Sequence, residues 1–595
     1  MNKTIRIEII YFFLVCAFLC GLAFIQGVAT TKDLEWPHNI DLYRDIGQAQ
    51  TMREGAWWSD PLYLHEMSWY NPLVPGIVAV ASWVSNSPVH FVYTRIGPYL
   101  NLLSPISLWI LLWYLFDLWI ATAGLFGFLF VMTTAQVPSW ASATYSPWLF
   151  TANFVQALFY ITLIVYKKAL SSGLRKWYIV SGILLGVTFL GHTAPALLLG
   201  GIMALCTIGK AWDRKSRFLF RSQPLIDFAL IIIPAFIAST PFTYTILGHY
   251  HLKIINHDPG RYIYHSLALN NFRSFIAENG NPLITLVACF GLIWLIFQHH
   301  KSLERKLILL WLSICSGFIL YNYIWQIMGQ RLPVLVPLVH FLFYLKAVEA
   351  ILFGFGLVFL SKLTVGLGEY LICGANQKPK ECRSKGKRKE FRSRSDRPVA
   401  PTGSGLREKA AFILNSESRV PTPSLKIGRY RLLSEGIILS FLIFIPLIII
   451  YPSYISRDDF QRARLEALQK NQLLSNTQFI DWIQKHTQPS DGFLTNGLEL
   501  YTVGLSGRKI VAVDNRFFSN PYVDWNARIA DKNLMLKLLA NGDEGKFMAL
   551  ASHYSVTYIL SLDMDQQRHM DRVFEHILRK EFTEGNISIY RVLRS

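Results

Sequence analysis

Acidic and basic side chains crowd one segment of the sequence, HNIDLYRDIGQAQTMREGAWW at residues 38–58, directly after the first apolar run. On a helix through 41–55, Asp41, Asp45 and Gln48 share one face, and Arg44 lies three residues from Asp41. A carboxylate positioned beside a cation can act as a general base. The alternative interpretation is a helix cap with a solvated surface ion pair, the usual role of such residues. Spacing alone does not separate the two.

Cationic side chains occur in two later segments, at 249–265 and 328–340. Four of them are candidates for binding a phosphate or pyrophosphate through charge-assisted hydrogen bonds, namely Lys253, His257, Arg261 and Arg331. Each could instead anchor its segment at the membrane surface. Among the four, Arg331 is the one that we expect most to contact phosphate, because it lies directly before a long apolar run.

Ionisable residues also fall inside apolar runs, where they are costly and often functional. His192 interrupts the apolar stretch 177–209, and Lys346 lies three residues before Glu349. His192 could be a hydrogen-bonded structural residue, and Lys346 and Glu349 could neutralise each other. Both interpretations stay open from the sequence.

The elements that must position these side chains are membrane helices. The 595 residues are 52% hydrophobic and only 16% charged, which is typical of a polytopic membrane protein. About eleven apolar runs approach the length of a crossing, at 7–28, 95–116, 118–134, 148–166, 177–191, 193–209, 224–244, 281–298, 307–324, 336–361 and 433–452. Lys and Arg are concentrated in every second connecting loop, and therefore on one side of the membrane, which predicts a cytoplasmic N-terminus.

This topology predicts four parts. Residues 1–361 form a transmembrane core with an outward first loop at 29–94, and residues 362–432 form a basic, disordered cytoplasmic loop that carries over half of the net charge of +19. Because the charge is concentrated there, near anionic lipid, we predict no nucleic-acid partner. A last crossing at 433–452 precedes an extracytoplasmic α/β domain at 453–595, where helical patterns alternate with short apolar strands.

The first loop resembles a known family. Asp41 to Asp45, then Met52, Gly55 and Trp57, then YNPL at 70–73 follow the order found in membrane glycosyltransferases of the C superfamily (GT-C), in the branch of protein O-mannosyltransferases and the lipid A aminoarabinose transferase. The segments GVTFLGHTAPAL at 186–197 and QRLPVLVPLVHFL at 330–342 are similar to two further junctions of that family. Leu42 and Asn71 depart from it, in place of an acidic residue and a lysine.

The resemblance implies a GT-C-like fold and an enzyme that moves a sugar from a polyprenyl-phosphate donor to a lipid, protein or glycan acceptor outside the cytoplasm, in a bacterial inner membrane. Asp41 matches the catalytic acidic residue and Arg331 the arginine of the later junction; Arg44, Tyr70, Asn71 and His192 would line the cleft. Whether Asp41 alone is the base, or Asp45 replaces the acid that Leu42 lacks, stays open.

Three further points stay open from the sequence. Asp41 and Asp45 are candidate ligands of a divalent metal ion, although no third ligand is evident. A transporter or lipid flippase is an alternative function, but the apolar pattern shows no internal repeat of the kind such proteins have. A non-catalytic membrane scaffold is the other alternative, because Leu42 and Asn71 depart from the family pattern.

Overall fold

Helices make up most of the chain. The computed structural model describes residues 3–133, 144–212, 222–256, 281–298, 302–328, 332, 339–376, 425–474, 478–497 and 503–593. The helices before the C-terminal domain are α1 (Lys3–Thr31), α2 (Ile40–Arg53), α3 (Leu73–Ser85), α4 (Val89–Asn101), α5 (Leu103–Leu115), α6 (Leu118–Phe126), α7 (Thr151–Ser172), α8 (Arg175–Gly191), α9 (Thr193–Trp212), α10 (Ser222–Thr243), α11 (Pro282–Gln298), α12 (Leu303–Ile327), α13 (Val339–Asn376) and α14 (Leu425–Ile455). Short π-helical turns follow α6 at Gly127–Val131 and α10 at Tyr244–His249.

The chain is a polytopic α-helical membrane protein with a C-terminal α/β domain, as the sequence predicts. Within the described residues, 7 helical stretches are long and apolar enough to cross a membrane, and four shorter apolar helices accompany them. Each of the predicted apolar runs coincides with a helix or a pair of consecutive helices. Exposed Trp83 and Val84 give α3 an apolar outer surface, which is expected of a helix packed back against the membrane.

The structure defines the ends of helices in two regions where the sequence leaves them uncertain or differs from it. The apolar stretch 177–209 is two helices, α8 and α9, which are broken at His192 and pack against each other. Helix α13 continues to Asn376, beyond the predicted end of that crossing at residue 361, so the first part of the predicted basic loop is helical. The next helix, α14, begins at Leu425. Residues 377–424 of that loop lie outside the described residues.

The C-terminal domain carries one mixed sheet. Its helices are α15 (Arg462–Leu474), α16 (Phe479–His486), α17 (Trp525–Asn541), α18 (Glu544–His553) and α19 (Met564–Val573), and its strands are β1 (Gly492–Thr495), β2 (Lys509–Ile510), β3 (Val556–Ser561), β4 (Leu578–Glu584) and β5 (Ile587–Val592). The strand order is β2-β1-β3-β5-β4. Strand β1 pairs in parallel with β2 and β3, whereas β5 is antiparallel to β3 and β4.

One hydrophobic core joins the first loop to this domain. Leu42 and Tyr43 of α2 and Val78 of α3 belong to the same buried cluster as Phe493 of β1 and Leu505. The contact continues in the backbone, where the Ile510 N–H of β2 donates to the Leu62 carbonyl at 2.7 Å. The first loop and the C-terminal domain therefore lie on the same side of the helix bundle and are packed as one body.

Candidate active site

Helix α2 carries the candidate catalytic residues and is buried although it is polar. It begins at Ile40, and the side chain of Asn39 caps it by accepting a hydrogen bond from the Asp41 N–H at 2.8 Å. Every residue from Leu42 to Met52 is buried. The interpretation of this segment as a solvated surface helix is therefore wrong. Its polar side chains find partners inside the protein; for example, Gln48 Nε2 donates to Ser68 Oγ at 2.9 Å.

Arg44 is fixed in place by Asp45. The guanidinium donates from both Nε and Nη2 to Asp45 Oδ1, at 3.1 and 3.0 Å. The other Asp45 oxygen, Oδ2, accepts a hydrogen bond from the Tyr93 hydroxyl of α4 at 3.0 Å. Burial raises the pKa of the Asp45 carboxyl, and the charge of Arg44 opposes that rise. Asp45 is 3% exposed, so its two oxygens serve the protein interior rather than a substrate.

Two aromatic rings hold the face of the Arg44 guanidinium. The ring of Tyr70, from the YNPL segment, has its centroid 3.8 Å from the guanidinium carbon. The ring of Phe518, from the C-terminal domain, is more distant, with its centroid 5.9 Å from the same carbon. Burial acts to lower the pKa of Arg44, but Tyr70, Asp45 and Asp41 outweigh it, and the net direction is upward. The guanidinium is therefore a permanent cation held in one orientation.

Asp41 is the accessible carboxylate of the group. Its side chain is 34% exposed, against 4% for Asp45. The third nitrogen of Arg44, Nη1, approaches Asp41 Oδ1 at 3.7 Å, which is an ion pair too long to be a full hydrogen bond. Asp41 is thus the exposed carboxylate of the group, whereas Arg44 and Asp45 are buried and held by hydrogen bonds.

The C-terminal domain supports the opposite side of α2. A Cβ atom on Gly47 would lie 2.4 Å from the Gly504 carbonyl oxygen, so the two backbones touch. Beyond Gly47, Arg508 donates from Nη1 to Glu54 Oε2 at 2.7 Å. Arg508 is 2% exposed and also donates from Nε to Thr487 Oγ1 at 2.8 Å. Helix α2 is therefore wedged between the membrane helices and the C-terminal domain.

A second set of contacts joins three segments next to α2. The Asn520 side-chain amide of the C-terminal domain donates to Asp60 Oδ2 at 2.9 Å and to the Tyr250 hydroxyl at 3.0 Å. Tyr250 follows the π-helical turn after α10, and its hydroxyl donates to the Met67 carbonyl at 2.8 Å. Its ring stacks on Tyr522 with centroids 4.5 Å apart. The described chain after Tyr250 stays on the C-terminal domain, because the Asn256 N–H donates to the Pro521 carbonyl at 2.9 Å.

The family-like cleft residues at the helix break are close to the same loop. Asn71 donates from Nδ2 to the Phe189 carbonyl at 2.6 Å, which ties the YNPL segment to the end of α8. His192 lies at the break itself, where its Nδ1 accepts from the Ala194 N–H at 3.2 Å. Its ring centroid is 4.6 Å from that of His340 at the start of α13. Asn71 therefore has a structural contact, in a place where the resemblance would put a substrate-binding lysine.

The predicted phosphate-binding cations are only partly described. Lys253 is exposed, and among the described residues its ammonium makes no ion pair with α2. His257, Arg261 and Arg331 lie outside the described residues. The pair Lys346 and Glu349 is an ion pair within α13, with Nζ and Oε2 2.8 Å apart, which gives a structural reason for both charges.

A metal ion shared by Asp41 and Asp45 does not fit this geometry. Both oxygens of Asp45 already accept hydrogen bonds from Arg44 and Tyr93. Over the described ranges, no group of three or more His, Cys, Asp and Glu side chains could hold a metal ion. The chemistry of the described groups is that of one accessible carboxylate beside an immobilised cation.

Sequence reasoning missed three residues of this site. Tyr93 lies inside an apolar run, and Phe518 and Asn520 lie in a domain that carries no recognisable motif. Their roles depend on contacts between distant parts of the chain, which no local pattern reports. The resemblance of YNPL at 70–73 to the family pattern is the signal in the sequence that points to Tyr70.

Comparison with solved structures gives the fold a precedent. The ArnT of Cupriavidus metallidurans bound to undecaprenyl phosphate matches with a TM-score of 0.51 and 11% identity, over 97% of each chain. The oligosaccharyltransferase AglB of Archaeoglobus fulgidus, in complex with an inhibitory peptide and a dolichol-phosphate, matches with a TM-score of 0.45 and 12% identity, over 95% of this chain and 71% of that one. Both are glycosyltransferases of the C superfamily, and the ArnT match confirms the predicted fold. No protein-family model matches the sequence, and no curated protein does.

Proposed function

We propose that this chain is a membrane glycosyltransferase that moves a sugar from a polyprenyl-phosphate donor to an acceptor hydroxyl. The observation that carries the proposal is Asp41, a half-exposed carboxylate beside a locked guanidinium, in a fold shared with an ArnT that binds undecaprenyl phosphate. Because a fold alone does not define a reaction, the assignment rests on the chemistry of these groups. The reaction would take place on the side of the membrane that carries α2 and the C-terminal domain. We expect this to be the outer side of a bacterial inner membrane, with a cytoplasmic N-terminus.

Each residue has a distinct role in this proposal. Asp41 accepts the proton of the acceptor hydroxyl as that oxygen attacks the anomeric carbon. Asp45 and Tyr93 are positioning residues, since they hold Arg44 and face away from solvent. Lys253, His257, Arg261 and Arg331 are candidates for binding the donor phosphate. The acceptor is a lipid, a protein or a glycan that carries a free hydroxyl.

Replacing Asp41 by Asn tests the proposal directly. Asp41→Asn keeps the size of the side chain and removes the base, so transfer should fall at least 100-fold, the lower range for loss of general-base catalysis. The measurement is sugar transfer by the purified full chain in lipid vesicles that contain a polyprenyl-phosphate sugar donor. Lipid-linked glycan analysis of a strain that lacks the protein identifies which donor and acceptor to supply.

The matched control is Asp33→Asn. Asp33 is exposed on the same loop, and its φ of 63° is one that Asn tolerates well. This variant should keep wild-type transfer. Transfer by Asp41→Asn at the level of Asp33→Asn would contradict the base assignment, and absence of transfer by the wild type with every donor would favour a transporter or a scaffold.

Replacing Arg331 tests the donor phosphate assignment. Arg331→Ala should raise the donor concentration needed for half-maximal transfer by about tenfold or more, since a charge-assisted hydrogen bond to phosphate is worth about 1.5–3 kcal/mol. The measurement is transfer as a function of donor concentration at fixed acceptor concentration. An unchanged dependence on donor concentration would remove Arg331 from the phosphate site.

A further inference from the structure

The three nitrogens of the Arg44 guanidinium differ in how closely they approach a carboxylate. Nε and Nη2 are both bound to Asp45, and the rings of Tyr70 and Phe518 restrain its plane. Nη1 has only the long 3.7 Å approach to Asp41 as its contact with a carboxylate. An Arg that is 6% exposed and held this firmly cannot turn away when its neighbour changes charge. Nη1 therefore stays next to Asp41 when the charge of Asp41 changes.

The charges of the three groups change during the proposed reaction. With Asp41 and Asp45 ionised, the group Asp41, Arg44 and Asp45 carries one net negative charge, which disfavours a nearby phosphate. When Asp41 accepts the acceptor proton, that net charge becomes zero. The ion pair between Arg44 Nη1 and Asp41 is lost at the same moment, and Nη1 becomes available to another anion.

We infer that Arg44 is a further catalytic residue, whose Nη1 is released from Asp41 by the proton transfer and then binds the departing phosphate. This inference rests on the proposed function. The acceptor O–H bond breaks, its proton moves to Asp41, and the acceptor oxygen forms the new bond to the anomeric carbon. The bond from that carbon to the phosphate oxygen breaks, and its electron pair stays on the phosphate. The cation thus becomes available where and when negative charge develops, which is the condition for transition-state stabilisation.

This role of Arg44 explains why Asp45 and Tyr93 hold its side chain in one orientation. A free arginine side chain could follow Asp41 or rotate toward solvent, and reorienting it would cost entropy at each turnover. The hydrogen bonds from Arg44 to Asp45, and from Tyr93 to Asp45, remove that freedom in advance. Phe518 brings the C-terminal domain to this site, since its ring centroid is 5.9 Å from the guanidinium carbon of Arg44.

Equilibrium binding of polyprenyl phosphate to the full chain in detergent tests the inference. Asp41→Asn imitates the protonated carboxyl and should bind polyprenyl phosphate about tenfold more tightly than the wild type, because it frees Nη1 and removes a repelling charge. Arg44→Gln should bind it at least tenfold more weakly, and the double variant should show no gain over Arg44→Gln. Arg53→Gln, at the end of the same helix, is the control and should leave binding unchanged.

Two further ligands separate the sources of the effect. Polyprenol, which lacks the phosphate, should bind all variants equally. If Asp41→Asn also binds inorganic phosphate more tightly than the wild type does, the phosphate group alone is recognised. If only the affinity for polyprenyl phosphate increases, the lipid carrier is recognised as well. Either result supports the inference. Because Asp41→Asn removes no buried charge, it stays informative even if Arg44→Gln does not fold.

The outcomes also separate this inference from the proposed function. Suppose that the wild type transfers sugar and binds polyprenyl phosphate. If Asp41→Asn then binds polyprenyl phosphate no more tightly than the wild type, or still binds it more tightly when Arg44 is replaced, the role of Arg44 is overturned and the proposed function stands. If the wild type binds polyprenyl phosphate no better than polyprenol, the proposed function itself fails.

Discussion

At the scale of single residues, burial separates two aspartates that the sequence leaves equivalent. Asp41 and Asp45 lie four residues apart, and helical spacing correctly places both beside Arg44. Which of the two faces solvent depends on Tyr93, a residue of another helix that occupies the second oxygen of Asp45. The sequence therefore predicts the group of residues, but the division into an accessible carboxylate and an enclosed one requires the tertiary structure.

Lys509 offers a residue-scale prediction on stability. It is 3% exposed, and its ammonium donates to the Asp60 carbonyl oxygen next to the first loop. Burial lowers the pKa of Lys509 to about 8 from its ordinary 10.5, although Asp60 and Glu54 act in the opposite direction. Between these two pH values the unfolded chain holds a proton that the folded chain has released, so the free energy of unfolding should rise with pH by up to about 3 kcal/mol.

The measurement is chemical denaturation of the purified protein between pH 7.5 and 10.5. The Lys509→Met variant should lack this rise, whereas Lys537→Met, at an exposed position of α17, should keep it. Titrating tyrosines affect all three proteins alike, so the difference between the variants isolates Lys509. An equal slope in Lys509→Met and wild type would contradict the lowered pKa.

At the scale of elements, α2 is the part that sequence patterns describe least well. A polar helix is normally assigned to the surface, because a helix buries an apolar face and exposes the rest. Here one side of α2 packs on α3 and α4 and the other on the C-terminal domain, so that its polar side chains are enclosed by protein. By contrast, the crossings are long apolar runs whose positions need no tertiary information.

The sequence of the C-terminal domain likewise predicts some of its elements and not others. Strands β1, β2, β3 and β5 are predicted from their apolar residues, whereas β4 is not, because LRKEFTE at 578–584 is a charged edge strand. The sequence does not predict helix α19 either, because MDQQRHMDRV is mostly polar and buries only Gln567 and Met570. Elements whose formation depends on a neighbour rather than on their own apolar face are the ones that a single sequence does not reveal.

Gly47 gives an element-scale prediction on how α2 docks. In Gly47→Ala the new methyl group would meet the Gly504 carbonyl oxygen at 2.4 Å, so the short 3-10 turn at Gly504–Ser506 would have to move away from α2. We expect a loss of about 1–3 kcal/mol in the free energy of unfolding, with reduced transfer. Thermal unfolding in detergent and the transfer assay measure the two effects.

The control for this prediction is Gly21→Ala in α1. A Cβ atom at Gly21 meets nothing within 4 Å, so this variant should be neutral or slightly stabilising. If Gly47→Ala unfolds at the same temperature as Gly21→Ala, the backbone contact between α2 and the C-terminal domain is not a constraint on stability.

At the scale of the whole molecule, the candidate site is assembled from the two ends of the chain. Arg464 donates from Nη1 to the Lys32 carbonyl at 3.0 Å, and Asn471 accepts from the Glu35 N–H at 2.7 Å, so α15 holds the segment that leads into α2. Glu54 pairs with Arg508, and Asp60 with Asn520. The predicted division into a membrane core and a separate outward domain describes the chain order, but the packing joins the first loop to the domain.

This arrangement has a consequence for the time course of synthesis. Glu54 and Arg508 are 454 positions apart. At roughly 5–20 residues per second, a ribosome needs on the order of half a minute or more to pass from the first to the second. During that interval α3 and α4 are available to pack on α2, while its partners in the C-terminal domain have not yet been made. The candidate site is therefore completed only near the end of translation, and a ribosome that stalls before residue 504 leaves α2 without its partners in the C-terminal domain.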